Sequence, residues 1–139
     1  MKEENMLEVI YIQAGDPPKS VRIENELEPM QELVGGHIEE YMPFEDDIAI
    51  ICNEEGKILG LEPNRAIYDE NGDMIEVICG DFFLCYAPID SEEFKDFPEN
   101  LKKKYEEKFK MPERFFMTPS GIRVVKTGKT ERDEIQQGR

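Results

Sequence analysis

The chain has 139 residues, a net charge of −15 at pH 7 and an apolar share of 39%, and these totals exclude several classes of protein. The length leaves room for one domain, and the 35% of charged residues indicates a modest core beneath a heavily charged surface. No apolar run approaches the ~20 residues of a membrane-spanning helix, and the charged N-terminus is unlike a signal peptide, so we expect a cytoplasmic protein.

The negative charge is concentrated in the first two thirds of the chain. Residues 1–97 hold 25 acids and 6 bases, a balance of −19, whereas residues 98–139 hold 7 acids and 11 bases, a balance of +4. Such a body repels nucleic acid and anionic membranes at long range, so we expect no direct binding to either. The acidity either serves solubility alone or steers the protein towards a basic partner.

The cysteines are odd in number, three in all, and each lies inside an apolar run. Secreted domains of this size usually carry an even set in polar loops. We therefore predict that Cys52, Cys79 and Cys85 are buried, reduced thiols in a reducing compartment.

The N-terminal part predicts two strands and a short helix. Apolar alternation favours a strand over 6–12 and a return strand at 21–23. The helix ends at the glycine pair 35–36. Its start is open: Asn25 is one candidate cap, and a later start would put Pro29 at the first helical position.

The middle of the chain predicts a sheet made of hairpins. After a strand over 38–44, a first hairpin pairs residues 48–52 with 57–61 across a loop that ends at Gly56. A second hairpin pairs 66–68 with 74–79 across Asn71-Gly72, a dipeptide typical of a type I′ turn. A further strand follows at 82–86.

The C-terminal part predicts helices and a polar tail. Ser91 favours a helix over 92–97, and Pro98 restarts one with an apolar stripe of Leu101, Tyr105 and Phe109. An edge strand or hairpin is expected within 115–125.

These elements together predict an α+β fold: an antiparallel or mixed sheet of β-hairpins, with a short N-terminal helix and a C-terminal helical segment on one side. We expect a single domain over 1–125. Residues 126–139 contain one apolar side chain, Ile135, and are predicted to be a disordered tail.

No catalytic, metal or cofactor site is predicted. His37 is the only histidine and suits a structural or solvent-facing role, although a pair with a distant serine or cysteine stays open. The segment starting at Asp69 resembles a calcium loop but has Met74 where glycine is needed and Gly80 where a glutamate belongs. The acidic run 45–47 could hold a cation, but adjacent acids in a loop are usually solvated.

Two sets of residues are candidates for binding a ligand or a partner. Arg65, beside Asn64, can pair with one of the chain's own acids, or it can bind a ligand phosphate or a partner carboxylate. The lysines of segment 102–110 form either a solvated helix face or an anion site. The candidate partner surface consists of acids around one predicted strand and its loop: Glu39, Glu40, Glu45, Asp46 and Asp47.

Three blocks of sequence carry a resemblance to a known family. QELVGGHIE at 31–39, ICNEEGK at 51–57 and GLEPNRA at 60–66 resemble an uncharacterised domain family of phage, plasmid and integrative-element proteins. Pro29 departs from the alanine expected there. Because the family is uncharacterised, the resemblance implies no catalytic residues. It does imply a biological context: an accessory protein of a mobile element inside a bacterium.

Two classes of function follow from the charge and the setting. The first is a non-enzymatic protein that binds a host protein with a basic surface, for example as an inhibitor of a defence or nucleic-acid-handling protein. The second is a small-molecule or nucleotide-binding protein that sequesters its ligand through Arg65 and the basic helix. The oligomeric state is not indicated by the sequence.

Overall fold

The computed structural model describes residues 5–127, which form nine strands and two helices. In chain order they are β1 (Met6–Ile12), β2 (Lys19–Glu24), α1 (Leu27–Val34), β3 (Ile38–Tyr41), β4 (Ile48–Asn53), β5 (Pro63–Tyr68), β6 (Met74–Cys79), β7 (Phe82–Tyr86), α2 (Glu99–Lys108), β8 (Glu113–Thr118) and β9 (Gly121–Lys126). Neither of these helices is long and apolar enough to cross a membrane.

The centre of the fold is a five-stranded antiparallel sheet in the order β2-β1-β7-β4-β3. All six residues of β4 are buried, and so are the first four of β7. A central strand of a sheet that is covered on both faces has apolar side chains at every position. The apolar run 48–52 predicted such a strand, and this prediction is confirmed.

The two helices pack on opposite faces of this sheet. α1 buries Met30 and Val34 against the face that carries Phe83. α2 buries Tyr105 on the other face, beside Leu84 and the β5–β6 hairpin. The α+β class and the antiparallel sheet are confirmed, but the expectation that both helices lie on one side is wrong. Because β1, β4 and β7 direct apolar side chains to both faces of the sheet, each face needs a helix packed on it to shield these side chains from water.

The start of α1 differs from both alternatives that the sequence left open. Glu26 is the N-cap and makes no side-chain capping bond, and Pro29 is the third residue of the helix. A proline is tolerated there because the amides of the first turn have no partner inside the helix. The predicted stop is confirmed: Gly35 has a φ of 81° and donates its N–H to the carbonyl of Gln31 at 2.8 Å.

One of the two predicted central hairpins is confirmed and the other is wrong. β5 and β6 form the second hairpin around Asn71-Gly72, but the turn is not type I′ as predicted, because Gly72 has a positive φ of 84° and Asn71 does not have a positive φ. The first fails because residues 54–60 form consecutive turns, and no strand is assigned over 57–61. β4 pairs instead with β3, the strand just before it in the chain, and with β7, which comes from a distant part of the chain.

Of the two helices predicted for the C-terminal part, the first is wrong and the second is confirmed. Residues 92–97 are not helical; there the hydroxyl of Ser91 accepts a hydrogen bond from the Glu93 amide at 3.0 Å, and Lys95 forms a β-bridge with Tyr86. Pro98 is the N-cap of α2, as the restart at this proline predicted. Tyr105 and Phe109 of the predicted stripe are buried in the core.

The last described strands form a hairpin of their own. β8 pairs with β9 in a two-stranded sheet, in agreement with the hairpin expected near residues 115–125. Lys126 is the last residue of β9, so it belongs to this hairpin and not to a tail. Thr127 is also described and donates its amide to the carbonyl of Pro112 at 2.7 Å, whereas residues 128–139 of the predicted tail lie outside the described residues.

Candidate functional site

The guanidinium of Arg65 is fully buried and bound to carbonyl groups of the protein itself. Nε and Nη2 donate to the carbonyl of Phe109 at 3.2 and 2.9 Å, and Nη2 also donates to the carbonyl of Asp16 at 2.7 Å. Nη1 donates to the main-chain and side-chain oxygens of Asn64 at 3.3 and 2.8 Å. With 0% of its surface exposed, Arg65 offers no donor to an external anion in this structure.

Burial lowers the pKa of Arg65, and the nearby carboxylates of Glu113 and Asp16 act in the opposite direction. The sequence suggested a direct fork to one carboxylate, but the bonded partners are carbonyls at three places in the chain and one amide oxygen. Arg65 therefore joins β5, the end of α2 and the turn after β1.

Asn64 is equally internal. Its amide nitrogen donates to the carbonyls of Ile12 and Gly80, both at 3.0 Å, while its oxygen accepts the bond from Arg65. Unpaired amide groups are costly in an interior, and these contacts satisfy the side chain. Asn64 thus fixes the position of β5 relative to the end of β1 and to the turn between β6 and β7.

The candidate acids do not form one surface. Asp46 accepts hydrogen bonds from Lys104 at 2.7 Å and from the hydroxyl of Tyr105 at 2.8 Å, and these contacts lower its pKa. Asp47 accepts the amide of Ile89 at 3.2 Å. Both acids therefore hold the segment before β4 in place, whereas Glu45 between β3 and β4 is exposed.

Glu39 and Glu40 are both exposed on the edge strand β3 but point to opposite faces. Glu39 is opposite Cys52 and Glu40 is opposite Ile51 in the register of β3 with β4. Cys52 belongs to the core on the α2 face, and Ile51 belongs to the core on the α1 face. Since paired residues share a face, Glu39 lies on the α2 side and Glu40 on the α1 side.

The lysines of α2 are partly engaged by acids of the body. Lys102 forms ion pairs with Glu8 and with Glu99, and Lys104 forms one with Asp46. Lys108 lies over the ring of Phe44, 5.4 Å from its centroid. Lys102 and Lys104 therefore neutralise acids of the same chain, and Lys108 packs on one of its aromatic rings.

A groove that the sequence did not indicate lies beside Glu39. Its volume is about 310 Å³, and it runs between β3, the end of β4, the turn 54–60 and β6. Carboxylates dominate its charged lining, with one lysine among them: Glu39, Glu54, Glu55, Glu76 and Lys57. We call this feature the acidic groove.

Two local contacts shape the turn that forms one wall of the acidic groove. The side chain of Asn53 accepts the amide of Glu55 at 2.7 Å and donates to the carbonyl of Val34 at 3.1 Å, so it ties the turn to the end of α1. Gly56 packs directly on β6: a Cβ at this position would lie 2.5 Å from the carbonyl oxygen of Cys79. The Asn-x-x-Gly spacing is the signal in the sequence that marks this turn.

The same turn presents apolar side chains to solvent. Ile58, which lines the groove, is 85% exposed, and its neighbour Leu59 is 56% exposed. The amide of Leu59 donates to the carbonyl of Glu55 at 2.8 Å, so the backbone beneath these side chains is ordered by its own hydrogen bonds. The exposed side chains of Ile58 and Leu59 thus lie beside the carboxylates of the acidic groove.

The charges and thiols of the groove favour binding over covalent chemistry. Lys57 forms an ion pair with Glu76, and the hydrogen bond between them raises the pKa of Lys57. Burial raises the pKa of Cys52 to about 12, with the carboxylates of Glu39 and Glu76 adding to the effect, and burial also raises the pKa of Cys79. Protonated thiols are weak nucleophiles at neutral pH.

The three cysteines are free thiols, but their burial differs. Cys52 and Cys85 are buried as predicted, whereas Cys79 is only half-buried because β6 borders the groove. Among residues 5–127, no group of three or more histidine, cysteine or acidic side chains has a geometry that could hold a metal ion.

A comparison with known proteins gives one match. No curated protein and no solved structure matches the chain. A family model does match, over residues 6–110, and its description is Domain of unknown function (DUF3846). The matched segment contains the five-stranded sheet, both helices and the β5–β6 hairpin, and it ends before β8. The chain therefore belongs to the DUF3846 family, an assignment that agrees with the resemblance found in the sequence.

Proposed function

We propose that the chain is a non-enzymatic accessory protein of a phage or another mobile element, and that it acts by stoichiometric binding to a host protein with a basic surface. The observation that supports this most is the exposed Ile58 on the rim of the acidic groove. Ile58 and its neighbour Leu59, 85% and 56% exposed, form an apolar pair on an ordered turn beside the carboxylates of the groove, whereas Ile89, although 91% exposed, is a single apolar side chain.

The chemistry of the groove defines the kind of partner. Protein interfaces combine an apolar centre with a polar rim, and here Ile58 and Leu59 stand beside Glu54 and Glu55. A fitting partner offers an apolar pocket for Ile58 flanked by lysine or arginine side chains. Basic clefts of this type occur in proteins that handle nucleic acid, where phosphates are the usual occupants.

The balance of −19 over residues 1–97 supports the same proposal through kinetics. A strongly charged surface accelerates the encounter with an oppositely charged partner, and added salt reduces the acceleration. Turnover is not part of the proposal, since the raised thiol pKa values in the groove disfavour a cysteine nucleophile.

The test is capture from the bacterial host by three immobilised proteins: the wild type, Ile58→Asp and the control Ile89→Asp. Ile89 is 91% exposed and lies in the segment after β7, outside the acidic groove, so the control removes an equally exposed isoleucine elsewhere. We expect the wild type and the control to retain one host protein in a fixed molar ratio and Ile58→Asp to lose it. Capture of a nucleotide in place of a protein would contradict the proposal and favour sequestration of a small molecule.

A further inference from the structure

The turn between β5 and β6 contains Asn71, the only asparagine of the chain that is followed by glycine. Asn71 and Gly72 are both exposed. The side-chain bonds that order the turn come from Asp69 and not from Asn71, so the amide of Asn71 stands in water on a turn that its neighbour holds in shape.

An asparagine in front of a glycine is open to a reaction within the chain. The main-chain nitrogen of the glycine attacks the side-chain carbonyl carbon of the asparagine, and a C–N bond forms that closes a cyclic succinimide. The bond to the side-chain nitrogen breaks, and ammonia leaves with the proton of the attacking amide. Water then opens the ring at one of its two carbonyls and leaves aspartate or isoaspartate. Glycine favours the attack because it has no Cβ to shield its nitrogen.

The hydrogen bonds of the turn oppose this reaction. The amide of Gly72, which is the attacking group, donates to the main-chain carbonyl of Asp69 at 3.0 Å. The carboxylate of Asp69 accepts the amides of Asn71 and Asp73, both at 2.9 Å, in an arrangement typical of an Asx turn. The reaction therefore requires the turn to open locally, and each of these bonds makes opening less frequent.

The other asparagines of the described chain are less open to the reaction. Asn53 and Asn64 are buried, and both side chains are hydrogen-bonded inside the fold. Asn100 is exposed like Asn71, but it lies in the first turn of α2 and is followed by a leucine. Asn100 is therefore a matched reference within the same molecule.

We propose that Asn71 is the site at which the native chain deamidates spontaneously, and that Asp69 slows the reaction by holding the turn closed. The product carries a fourth carboxylate in the segment 69–73, next to those of Asp69, Glu70 and Asp73. Isoaspartate also adds a methylene group to the main chain of the turn. This inference does not depend on the proposed partner.

The first test incubates the full chain at several neutral to mildly alkaline pH values and locates the products by mass spectrometry of digests. We expect the peptide that contains residue 71 to gain the mass difference between a hydroxyl and an amino group, in two products that separate on chromatography. The rate should rise with pH, because the attacking nitrogen must lose its proton. Deamidation that begins at Asn100 or at another asparagine would overturn the proposal, and so would an Asn71 that stays intact while a synthetic peptide of residues 66–78 is converted.

The second test changes Asp69 in the full chain. Asp69→Ala removes the acceptor of two hydrogen bonds, so Asn71 should react roughly fivefold faster, about the effect of one net hydrogen bond on the frequency of opening. Asp69→Asn keeps an oxygen that accepts these bonds and should stay close to the wild-type rate. Far-UV circular dichroism verifies that both variants are folded.

The same substitution in the synthetic peptide separates the fold from the local sequence. Asp69→Ala should leave the rate of the peptide unchanged, because the unfolded segment has no closed turn to lose. An Asp69→Ala protein that reacts no faster than the wild type would show that Asp69 does not restrain the turn. An equal acceleration in the peptide and in the protein would assign the effect to local charge and would also overturn the role of Asp69.

Discussion

The side chain of Arg65 donates twice to the carbonyl oxygen of Phe109, through Nε at 3.2 Å and Nη2 at 2.9 Å. Phe109 is the C-cap of α2, so the buried cation lies at the end of the helix where main-chain carbonyls carry partial negative charge. Because Arg65 is in β5, this contact fixes the helix to the hairpin that covers the same face of the sheet.

We predict that Arg65→Ala destabilises the fold by about 3 kcal/mol, because it leaves buried carbonyls unpaired and opens a cavity. Arg65→Lys should cost less, since an ammonium keeps the charge but lacks the fork of donors. Chemical denaturation measures both. Arg114→Ala, at an exposed position, should change stability by no more than ~0.5 kcal/mol. An Arg65→Ala protein as stable as the wild type would show that these bonds do not stabilise the fold.

A second prediction concerns the wall of the acidic groove. Gly56→Ala should destabilise the fold by about 2 kcal/mol, because the added Cβ would lie 2.5 Å from the main-chain oxygen of Cys79 and the turn would have to move. Gly15→Ala is the control: its φ is 85°, but its Cβ would meet nothing within 4 Å, so it should cost only ~1 kcal/mol for the backbone conformation. Equal losses in thermal or chemical unfolding would contradict the close approach.

The difference between what the sequence predicted and what it missed follows the distance between interacting residues. The β5–β6 hairpin was predictable because its turn and both its strands are local. The partners of β4 were not: β7 reaches it from a distant part of the chain, and although β3 is the preceding strand, only the apolar character of 48–52 is visible in the sequence. Residues 57–61 were assigned to the wrong element for the same reason.

The candidate site shows the same limit. The pattern at Asn64 and Arg65 predicted a pair with one of the chain's own acids, or a bound phosphate or partner carboxylate, but the acceptors include the main-chain carbonyls of Asp16 and Phe109. The acidic groove gathers side chains from three strands and a turn, so no single stretch of sequence indicates it. Ile58 followed by Leu59 was interpreted as part of a strand because an apolar pair gives no sign of exposure.

A third prediction concerns thiol labelling of the native protein. Cys79 should react first because it is half-buried, while Cys85, whose pKa is raised strongly by burial, should react last. The labelling rate of Cys52 should keep rising with pH through the neutral and mildly alkaline range, since its pKa is about 12 and the thiolate is the reactive form. Mass spectrometry of digests gives the order. Fast labelling of Cys85 in the folded protein would contradict the packing of β7.

A fourth prediction concerns Asp46. Hydrogen bonds from Lys104 and Tyr105 lower its pKa below the ordinary 3.8, so its contribution is present above that pH and is lost as the pH falls through the folded-state value. We expect Asp46→Asn to lower the free energy of unfolding by about 1 kcal/mol at neutral pH, because a partly exposed ion pair contributes little more than this. In acid, the stability of the variant should approach that of the wild type. Glu45→Gln, at the exposed neighbouring position, should lose nothing. A deficit that does not depend on pH would point to packing instead of charge.

The most direct test of the proposed function compares two charge reversals of equal size in binding to the captured host protein. Glu54→Lys with Glu55→Lys changes the acidic groove, and Glu92→Lys with Glu93→Lys makes the same change at exposed positions outside its lining. Stopped-flow association rates over a series of salt concentrations separate local from overall charge, since screening acts over about 8 Å near physiological ionic strength. We predict that the groove pair slows association more than tenfold at low salt and flattens the salt dependence, while the other pair has a much smaller effect. Equal slowing by the two pairs, or none, would contradict the proposal that the groove is the binding surface.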